Sequence, residues 1–548
     1  LEMDYADPKV EEIEAAFSIE KITDEFFDQY KALFQKLAEH FKKQPWFKQA
    51  SNEETDQVVS RFAKKLLGQI VFLYFLQKKG WLGAAMGKTW GEGSKRFLRE
   101  RYQQAENEGR NYYRDFLQYL FYEALACKRE EQEDPGYYER FKCRVPFLNG
   151  GLFEADYDWR QVNIEIPNKL FHNNEKTRAG DVGTGILDVF DRYNFTIKED
   201  EPLDKEVAVD PEMLGKVFEN MLEITERKSK GAFYTPREIV HYMCQESLIH
   251  YLDNRLNTYA INVLESADQQ VDMFGSTNQR IKIGQEENIR VPKSDLQTLI
   301  RKGHLALEND TQVLSNRKET ETYRFQLPEA VRANAKALDE ALADIKVCDP
   351  AIGSGAFPVG LLHEIVNARQ VLAPHNGNPL SAYDLKRHAI AESIYGVDID
   401  ASAIDIARLR LWLSLIVDEE DYGAIEALPN LDYKIVRGNS LIGFPENWTS
   451  PAFEQLESLK KDFFAEADHD KKVALKAQID IEIQKRLENS KQVFGHQVDF
   501  DFRLMFSEVW HQKGGFDVVI GNPPYFNIDT FGANSTVQMF LKKHYNVY

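Results

Sequence analysis

Four strand-like apolar runs in the second half of the chain each end in residues that can contact a ligand. The runs are IKVCD, SIYGVD, YKIVRG and FDVVIG. They lead into residues 349–357, into Asp398 and Asp400, into Asn439, and into residues 522–525. The carboxyl ends of parallel strands meet at one edge of a sheet, and open α/β sheets bind ligands at that edge. The sequence therefore predicts one binding site assembled from four separate segments.

The first segment, DPAIGSGAF at residues 349–357, has the composition of a ligand-binding loop. Gly353 and Gly355 allow the backbone to turn tightly and to approach a ligand closely. The helix that follows favours acceptor groups through its free N–H donors, and Asp349 could neutralise a cationic group. A plain strand-to-helix turn has the same pattern, so this loop is weak evidence when taken alone.

The second and third segments each have two interpretations. Asp398 ends the second strand, where an acidic residue is well placed to hold ribose hydroxyls, although a solvated strand end is as good an explanation. Asp400 can cap the next helix. Asn439 could bond a purine edge or shape a turn, and the residues alone favour the turn.

The fourth segment, NPPY at residues 522–525, is the strongest signal. Proline cannot donate a hydrogen bond to a sheet, so two prolines end the strand abruptly. An amide, a free carbonyl and an aromatic face are thereby presented together at the sheet edge. A turn that only stops the strand is the alternative, and it is weakened by the three other strand ends.

The elements that must position these residues follow from periodicity. Strand-like runs alternate with helices from residue 345 onward, which predicts an α/β fold with a parallel sheet. Residues 1–205 show the apolar spacing of amphipathic helices and are predicted to form a mostly helical domain. The second domain, residues 206–548, is expected to contain an insertion with helices at 260–340 and a helical hairpin at 445–515.

The composition of the chain excludes several classes of protein. The chain has 548 residues, a net charge of −20 and 43% hydrophobic residues, which excludes a disordered chain and a uniformly basic nucleic-acid coat. The longest apolar stretch, Leu66–Leu76, is too short for a membrane span, which needs about 20 residues. The four cysteines form no CxxC pair, so neither a metal site nor a disulfide framework is expected. A cytoplasmic protein without a secretory signal is expected.

The order of the motifs resembles that of the gamma-class DNA adenine-N6 methyltransferases. In that family a YTP element precedes the glycine loop, the ribose acid, the third strand and NPPY, and here GAFYTP at 231–236 precedes DPAIGSGAF. Ile352 stands where relatives usually have Cys, which backbone contacts should tolerate. LGKVFENMLE and FLNGGLFE resemble segments of large fused restriction–modification enzymes and phage-defence methyltransferases.

The resemblance implies a Rossmann-like, S-adenosylmethionine-dependent methyltransferase sheet in residues 206–548. It implies that the later strands and a target-recognition domain follow Tyr548, so that the sheet is incomplete at the C-terminus. No convincing nuclease motif occurs in residues 1–205, so a fused nuclease would precede Leu1. The helical domain is then expected to be a connector or a DNA-facing scaffold.

The resemblance also implies roles for individual residues. The catalytic residues are Asn522, Pro523, Pro524 and Tyr525, acting on an adenine flipped out of double-stranded DNA. The methionine end of the cofactor is held by Tyr234, Thr235, Pro236, Asp349, Ala351, Gly353 and Gly355. The ribose and adenine of the cofactor are contacted by Asp398, Ile399 and Asn439.

Two other functions are compatible with the same motifs. NPPY-like elements also serve methylation of other planar amino groups, such as cytosine N4, RNA bases and protein side chains. The chain could also bind S-adenosylmethionine as an effector within a restriction endonuclease, without transferring its methyl group. The intact NPPY and glycine loop argue against this second alternative.

Overall fold

A computed structural model defines the fold over most of the chain. It describes residues 19–49, 51–129, 134–148, 151–177, 180–195, 208–209, 217, 235–265, 281–288, 290–307, 325–377, 380–418, 428–444, 453–466, 469–488, 490–494, 496–523 and 536–544. In these ranges no helix combines the length and the hydropathy that crossing a membrane requires.

The regular elements are numbered in chain order. The α-helices are α1 Ile19–Phe41, α2 Asn52–Lys79, α3 Phe97–Asn107, α4 Ile186–Phe190, α5 Arg237–Leu256, α6 Lys293–Lys302, α7 Glu329–Ala333, α8 Ala335–Asp344, α9 Ala356–Asn376, α10 Ala382–Glu392, α11 Ala401–Asp418, α12 Phe453–Ala465, α13 His469–Leu487, α14 Ser490–Phe494, α15 Phe502–Met505, α16 Ser507–Lys513 and α17 Thr536–His544. The strands are β1 Tyr137–Tyr138, β2 Cys143–Arg144, β3 Asn194–Phe195, β4 Ala208–Val209, β5 Thr258–Glu265, β6 Ile281–Asn288, β7 Val347–Asp349, β8 Ile394–Asp398, β9 Ile435–Arg437 and β10 Val518–Val519.

Helix α2 is the central element of the amino-terminal helical region. A capping box at its start pairs the side chain of Ser51 with the backbone of Glu54, and the Glu54 side chain with the backbone of Ser51. Gly80 ends the helix in the left-handed conformation. The apolar stretch Leu66–Leu76 is part of this helix, and its side chains are buried. Helix α2 packs against α11, which joins the helical region to the sheet.

The sheet has four parallel strands in the order β10, β7, β8, β9. The chain runs from β7 outward through β8 to β9 and then returns to β10 on the other side of β7. This reversal makes the space between β7 and β10 the topological switch point of the sheet. The predicted parallel sheet and the helical region before it are both present.

Alternate residues of the strands enter two different cores, as the two-residue period of a strand requires. Val347, Ile394 and Ile435 belong to the large core shared with the helices. Their neighbours Cys348, Tyr395 and Val436 pack on the opposite face, in a smaller cluster. That smaller cluster also contains Phe500, Phe506 and Val509. Both faces of the sheet are therefore covered, which explains the continuously apolar strands.

The two predicted insertions differ in how they fold. Within 260–340 we expect helices, but β5 and β6 pair there as an antiparallel hairpin before α6, α7 and α8. The run TYAINVLE in β5 is rich in β-branched residues, which favour strands. Within 445–515, α12 and α13 pack against each other.

Candidate active site

The carboxyl ends of β7 and β10 meet at the switch point. The Ile520 N–H donates to the Cys348 carbonyl at 3.0 Å, which holds the end of β10 beside β7. Gly521, which follows β10, lies against Asp349, and Asn522 is the next residue in the chain. Ligands of open α/β sheets bind in this position.

The side chain of Asn522 contacts a residue 287 positions earlier in the chain. Its Nδ2 donates a hydrogen bond to Thr235 Oγ1 at 3.0 Å. The YTP element and the NPPY segment are thus brought together by direct contact. Pro523 is exposed beside them. Tyr234, Pro524 and Tyr525, which the sequence also assigns to the site, lie outside the described residues.

Asp349 is a buried carboxyl group with few hydrogen bonds to replace those that it would make with water. It is 1% exposed, and its Oδ1 accepts one hydrogen bond, from the Ala351 N–H at 3.0 Å. Its Oδ2 has no hydrogen-bond partner within the described part of the chain. Burial raises the pKa of Asp349 to about 8, and the nearby charge of Asp398 adds to the effect. The side chain is thus prepared for a ligand that donates hydrogen bonds, above all a cation.

Gly521 makes room for Asp349. A Cβ atom on Gly521 would overlap Asp349 Oδ1, with Pro350 Cδ 3.5 Å away. We expect Gly521→Ala to displace the Asp349 carboxyl and to weaken binding of S-adenosylhomocysteine at least tenfold, as measured by calorimetry. Gly514→Ala is the steric control, because a Cβ there meets nothing within 4 Å. The φ of Gly514 is +75°, so this control also shows the effect of a strained backbone away from Asp349. Unchanged affinity in Gly521→Ala would show that Asp349 does not face the ligand.

The glycine loop is held by helix α11. Gly353 and Gly355 have φ values of +53° and +86°, which suit glycine. A Cβ on Gly355 would lie 3.2 Å from the Ala407 backbone, so the loop and α11 are in close contact. The buried guanidinium of Arg410 donates to Ser354 O at 3.1 Å and to Ser354 Oγ at 3.0 Å. We did not predict the role of Arg410; its signal is a charged residue inside the apolar run RLRLWL.

Asp398 joins the second strand end to the glycine loop. Its Oδ2 accepts from the Gly353 N–H at 2.9 Å, and its Oδ1 accepts from the Asp400 N–H at 2.8 Å. Asp400 in turn accepts from the Ser402 N–H at 2.8 Å, as expected of a cap for α11. Ile399 between them is 58% exposed. An acceptor and an apolar surface therefore lie side by side at the end of β8.

Asn439 shapes a turn at the end of β9. Its Oδ1 accepts from the Leu441 N–H at 3.0 Å. This hydrogen bond is the one expected from the turn interpretation. A contact between Asn439 and a purine stays a prediction.

Thr235 is positioned by the packing of α5 on α9. Pro236 immediately precedes α5, and Gly360 of α9 lets Val240 approach closely. The buried carboxylate of Glu364 lies 2.7 Å from His241 Nδ1 and accepts from Gln245 Nε2 at 3.2 Å. These contacts fix the start of α5 relative to the glycine loop, which α9 follows directly.

Comparisons with known proteins find similarity to restriction–modification methylases. Residues 392–548, which include β8, β9 and β10, match the family model of the Eco57I restriction-modification methylases. The protein RM.MjaORFECS2P of Methanocaldococcus jannaschii, whose name describes a type II restriction enzyme and methyltransferase, is 27% identical over 403 residues. That similarity covers 72% of this chain but 28% of the relative's length.

A solved structure is also similar. The type IIL restriction-modification enzyme MmeI in complex with DNA gives a TM-score of 0.38 at 13% sequence identity. The similarity covers 76% of this chain and 40% of that chain.

Proposed function

We propose that this chain is the methyltransferase part of a restriction–modification or phage-defence system and transfers a methyl group from S-adenosylmethionine to the N6 atom of adenine in DNA. The observation that carries the proposal is the hydrogen bond between Asn522 and Thr235 at the switch point of a parallel sheet, where Gly521, the residue before Asn522, lies against Asp349. The family match of residues 392–548 supports the reaction class. We place this activity in the cytoplasm, where cellular DNA is accessible.

The side chains present fit S-adenosylmethionine. The buried Oδ2 of Asp349, which has no hydrogen-bond partner among the described residues, suits an ammonium group, and the glycine loop beside it allows close approach. Asp398 offers an acceptor for ribose hydroxyls, and the exposed Ile399 offers an apolar surface for a purine. When bound, the cofactor supplies an electrophilic methyl group on a sulfonium. Within the described residues, no group of three or more His, Cys, Asp and Glu side chains is arranged to hold a metal ion.

The protein's contribution to the reaction is placement and electrostatics. The adenine amino nitrogen is a poor nucleophile because its lone pair is delocalised into the ring. The Asn522 side-chain oxygen and the Pro523 carbonyl would accept hydrogen bonds from its two N–H groups and so favour a tetrahedral nitrogen. In our proposal Tyr525 stacks on the base, which must leave the duplex to reach the crevice.

Asp398 provides a separate test of the cofactor assignment. We expect Asp398→Ala to weaken cofactor binding at least tenfold, because the variant loses the ribose acceptor and also releases the Gly353 N–H. Calorimetric titration with S-adenosylhomocysteine measures the change. Asp405→Ala on α11 is the matched control, since Asp405 pairs with Arg61 at 3.3 Å on the face toward α2. An affinity in Asp398→Ala equal to that of the wild type would remove Asp398 from the cofactor site.

The substrate class is tested by offering methyl-labelled S-adenosylmethionine together with DNA, RNA or protein. We expect label in DNA. Label in RNA or protein would show that the methyl acceptor is a planar amino group of one of those substrates instead. Cofactor binding without transfer to any of the three would favour the regulatory function. Because the chain spans 28% of the curated relative, the recognition sequence and any fused nuclease are properties to test on the intact protein.

A further inference from the structure

We propose that Thr235 is a positioning residue that sets the orientation of the catalytic amide of Asn522. This inference rests on the proposed function and goes further, because it assigns Thr235 a part in the chemical step in addition to cofactor contact. The observation is the hydrogen bond in which Asn522 Nδ2 donates to Thr235 Oγ1 at 3.0 Å.

A primary amide has a donating end and an accepting end, and only the accepting end can help the target amine. The two N–H bonds of adenine N6 need oxygen acceptors, so an inverted Asn522 amide would direct donors toward donors. The bond to Thr235 occupies the Nδ2 end, and the Oδ1 end is therefore directed away from Thr235. This is the orientation that the reaction requires.

A hydroxyl can also donate, so Thr235 selects the orientation only when its own hydrogen has another acceptor. The proposed function supplies one, since it assigns Thr235 to the methionine end of the cofactor, whose carboxylate would accept that hydrogen. With that carboxylate accepting the hydroxyl hydrogen, the Thr235 oxygen can only accept from Asn522. Cofactor binding and the orientation of the amide are thereby linked through one hydroxyl group.

Thr235 is held firmly enough for this role. It immediately precedes Pro236 and α5, and α5 is fixed to α9 by the buried Glu364, which contacts His241 at 2.7 Å. Since α9 begins directly after the glycine loop, the hydroxyl of Thr235 has a defined place relative to both ligand and amide.

The test compares Thr235→Val with Thr235→Ser in the intact protein, using single-turnover methyl transfer at saturating S-adenosylmethionine and DNA. Valine keeps the shape and removes the hydroxyl, and we expect the rate to fall about 10- to 100-fold at saturation. Serine keeps the hydroxyl, and we expect a rate within about threefold of the wild type. Thr298→Val is the matched control, because Thr298 Oγ1 donates at 2.9 Å to Ser294 O on α6.

The outcomes separate the inference from the proposed function. A methyl-transfer rate that is low in Thr235→Val at saturating cofactor and close to that of the wild type in Thr235→Ser supports the positioning role. A Thr235→Val protein that reaches the wild-type rate at saturating cofactor would overturn that role, and the proposed function would stand. A wild-type protein that binds the cofactor and transfers no methyl group would overturn both.

Discussion

Replacing Asn522 with alanine is expected to lower the rate of methyl transfer to DNA by about 10²- to 10³-fold while the affinity for the cofactor stays within about threefold. The magnitude is that of removing one preorganised hydrogen-bonding group from a site where charge develops in the transition state. The side chain of Asn522 bonds to Thr235 at 3.0 Å, and the proposed function assigns the cofactor contacts to other side chains. Its loss should therefore affect the chemical step and leave the cofactor site intact.

Two measurements on the same protein preparation separate an effect on the chemical step from an effect on cofactor binding. Single-turnover transfer of labelled methyl groups gives the chemical rate, and calorimetry with S-adenosylhomocysteine gives the affinity. Asn367→Ala is the matched control, because the Asn367 amide lies 2.8 Å from His363 within α9. We expect that control to retain the wild-type rate. Equal losses of rate and affinity in Asn522→Ala would contradict the catalytic assignment.

Asp349→Asn is expected to stabilise the empty protein and to weaken cofactor binding about 10- to 100-fold. The carboxyl is 1% exposed and its Oδ2 has no partner in the described residues, so its charged form is disfavoured by folding. Asparagine has the same shape and carries no charge. It cannot supply the charge-assisted hydrogen bond to an ammonium group, which is the source of the lost affinity. Stability and binding thus change in opposite directions, as is common at functional sites.

The pH dependence of this stabilisation has a definite sign. Burial raises the pKa of Asp349 from 3.8 to about 8, so between these values the folded protein holds a proton that the unfolded chain has lost. The contribution of Asp349 to wild-type stability is therefore complete below pH 4 and is lost as the pH rises through 8. The Asp349→Asn protein does not lose stability in this way, because its amide does not ionise. We expect the difference in free energy of unfolding to grow by up to about 1.4 kcal/mol per pH unit in this window.

Urea unfolding of both proteins at several pH values between 5 and 8 measures this effect. Asp339→Asn is a control of the same chemistry, since Asp339 accepts from the Arg369 guanidinium at 2.7 Å and so has a cationic partner. Parallel stability curves for wild type and Asp349→Asn would mean that Asp349 is ionised in the empty protein.

Much of the site could be predicted because its residues lie at strand ends. Apolar runs mark the strands, and the carboxyl ends of parallel strands share one edge, so residues 349–357, Asp398 and Asn522 were expected to converge. Gly521, the residue before Asn522, lies against Asp349 at the switch point, and Asp398 accepts a hydrogen bond from the Gly353 N–H. The cap formed by Asp400 was also predictable from its position before a helix.

The supporting contacts could not be predicted, because they join residues that no local pattern connects. Arg410 reaches Ser354 across the loop, and Glu364 reaches His241 from another helix. The resemblance of FLNGGLFE to segments of fused restriction–modification enzymes did not indicate its contacts. The structure shows that its Glu154 pairs at 2.9 Å with Lys476 of the helical hairpin. Such pairings depend on how elements pack, which a single sequence does not state.

The most direct test of the proposed function is the identity of the methylated nucleoside. DNA is incubated with the intact protein and methyl-labelled S-adenosylmethionine, digested to nucleosides and separated by chromatography. The proposed function predicts label in N6-methyl-2′-deoxyadenosine with wild-type protein, and a loss of about 10²-fold or more with Asn522→Ala. Label in N4-methylcytosine, or equal labelling by the two proteins, would contradict it.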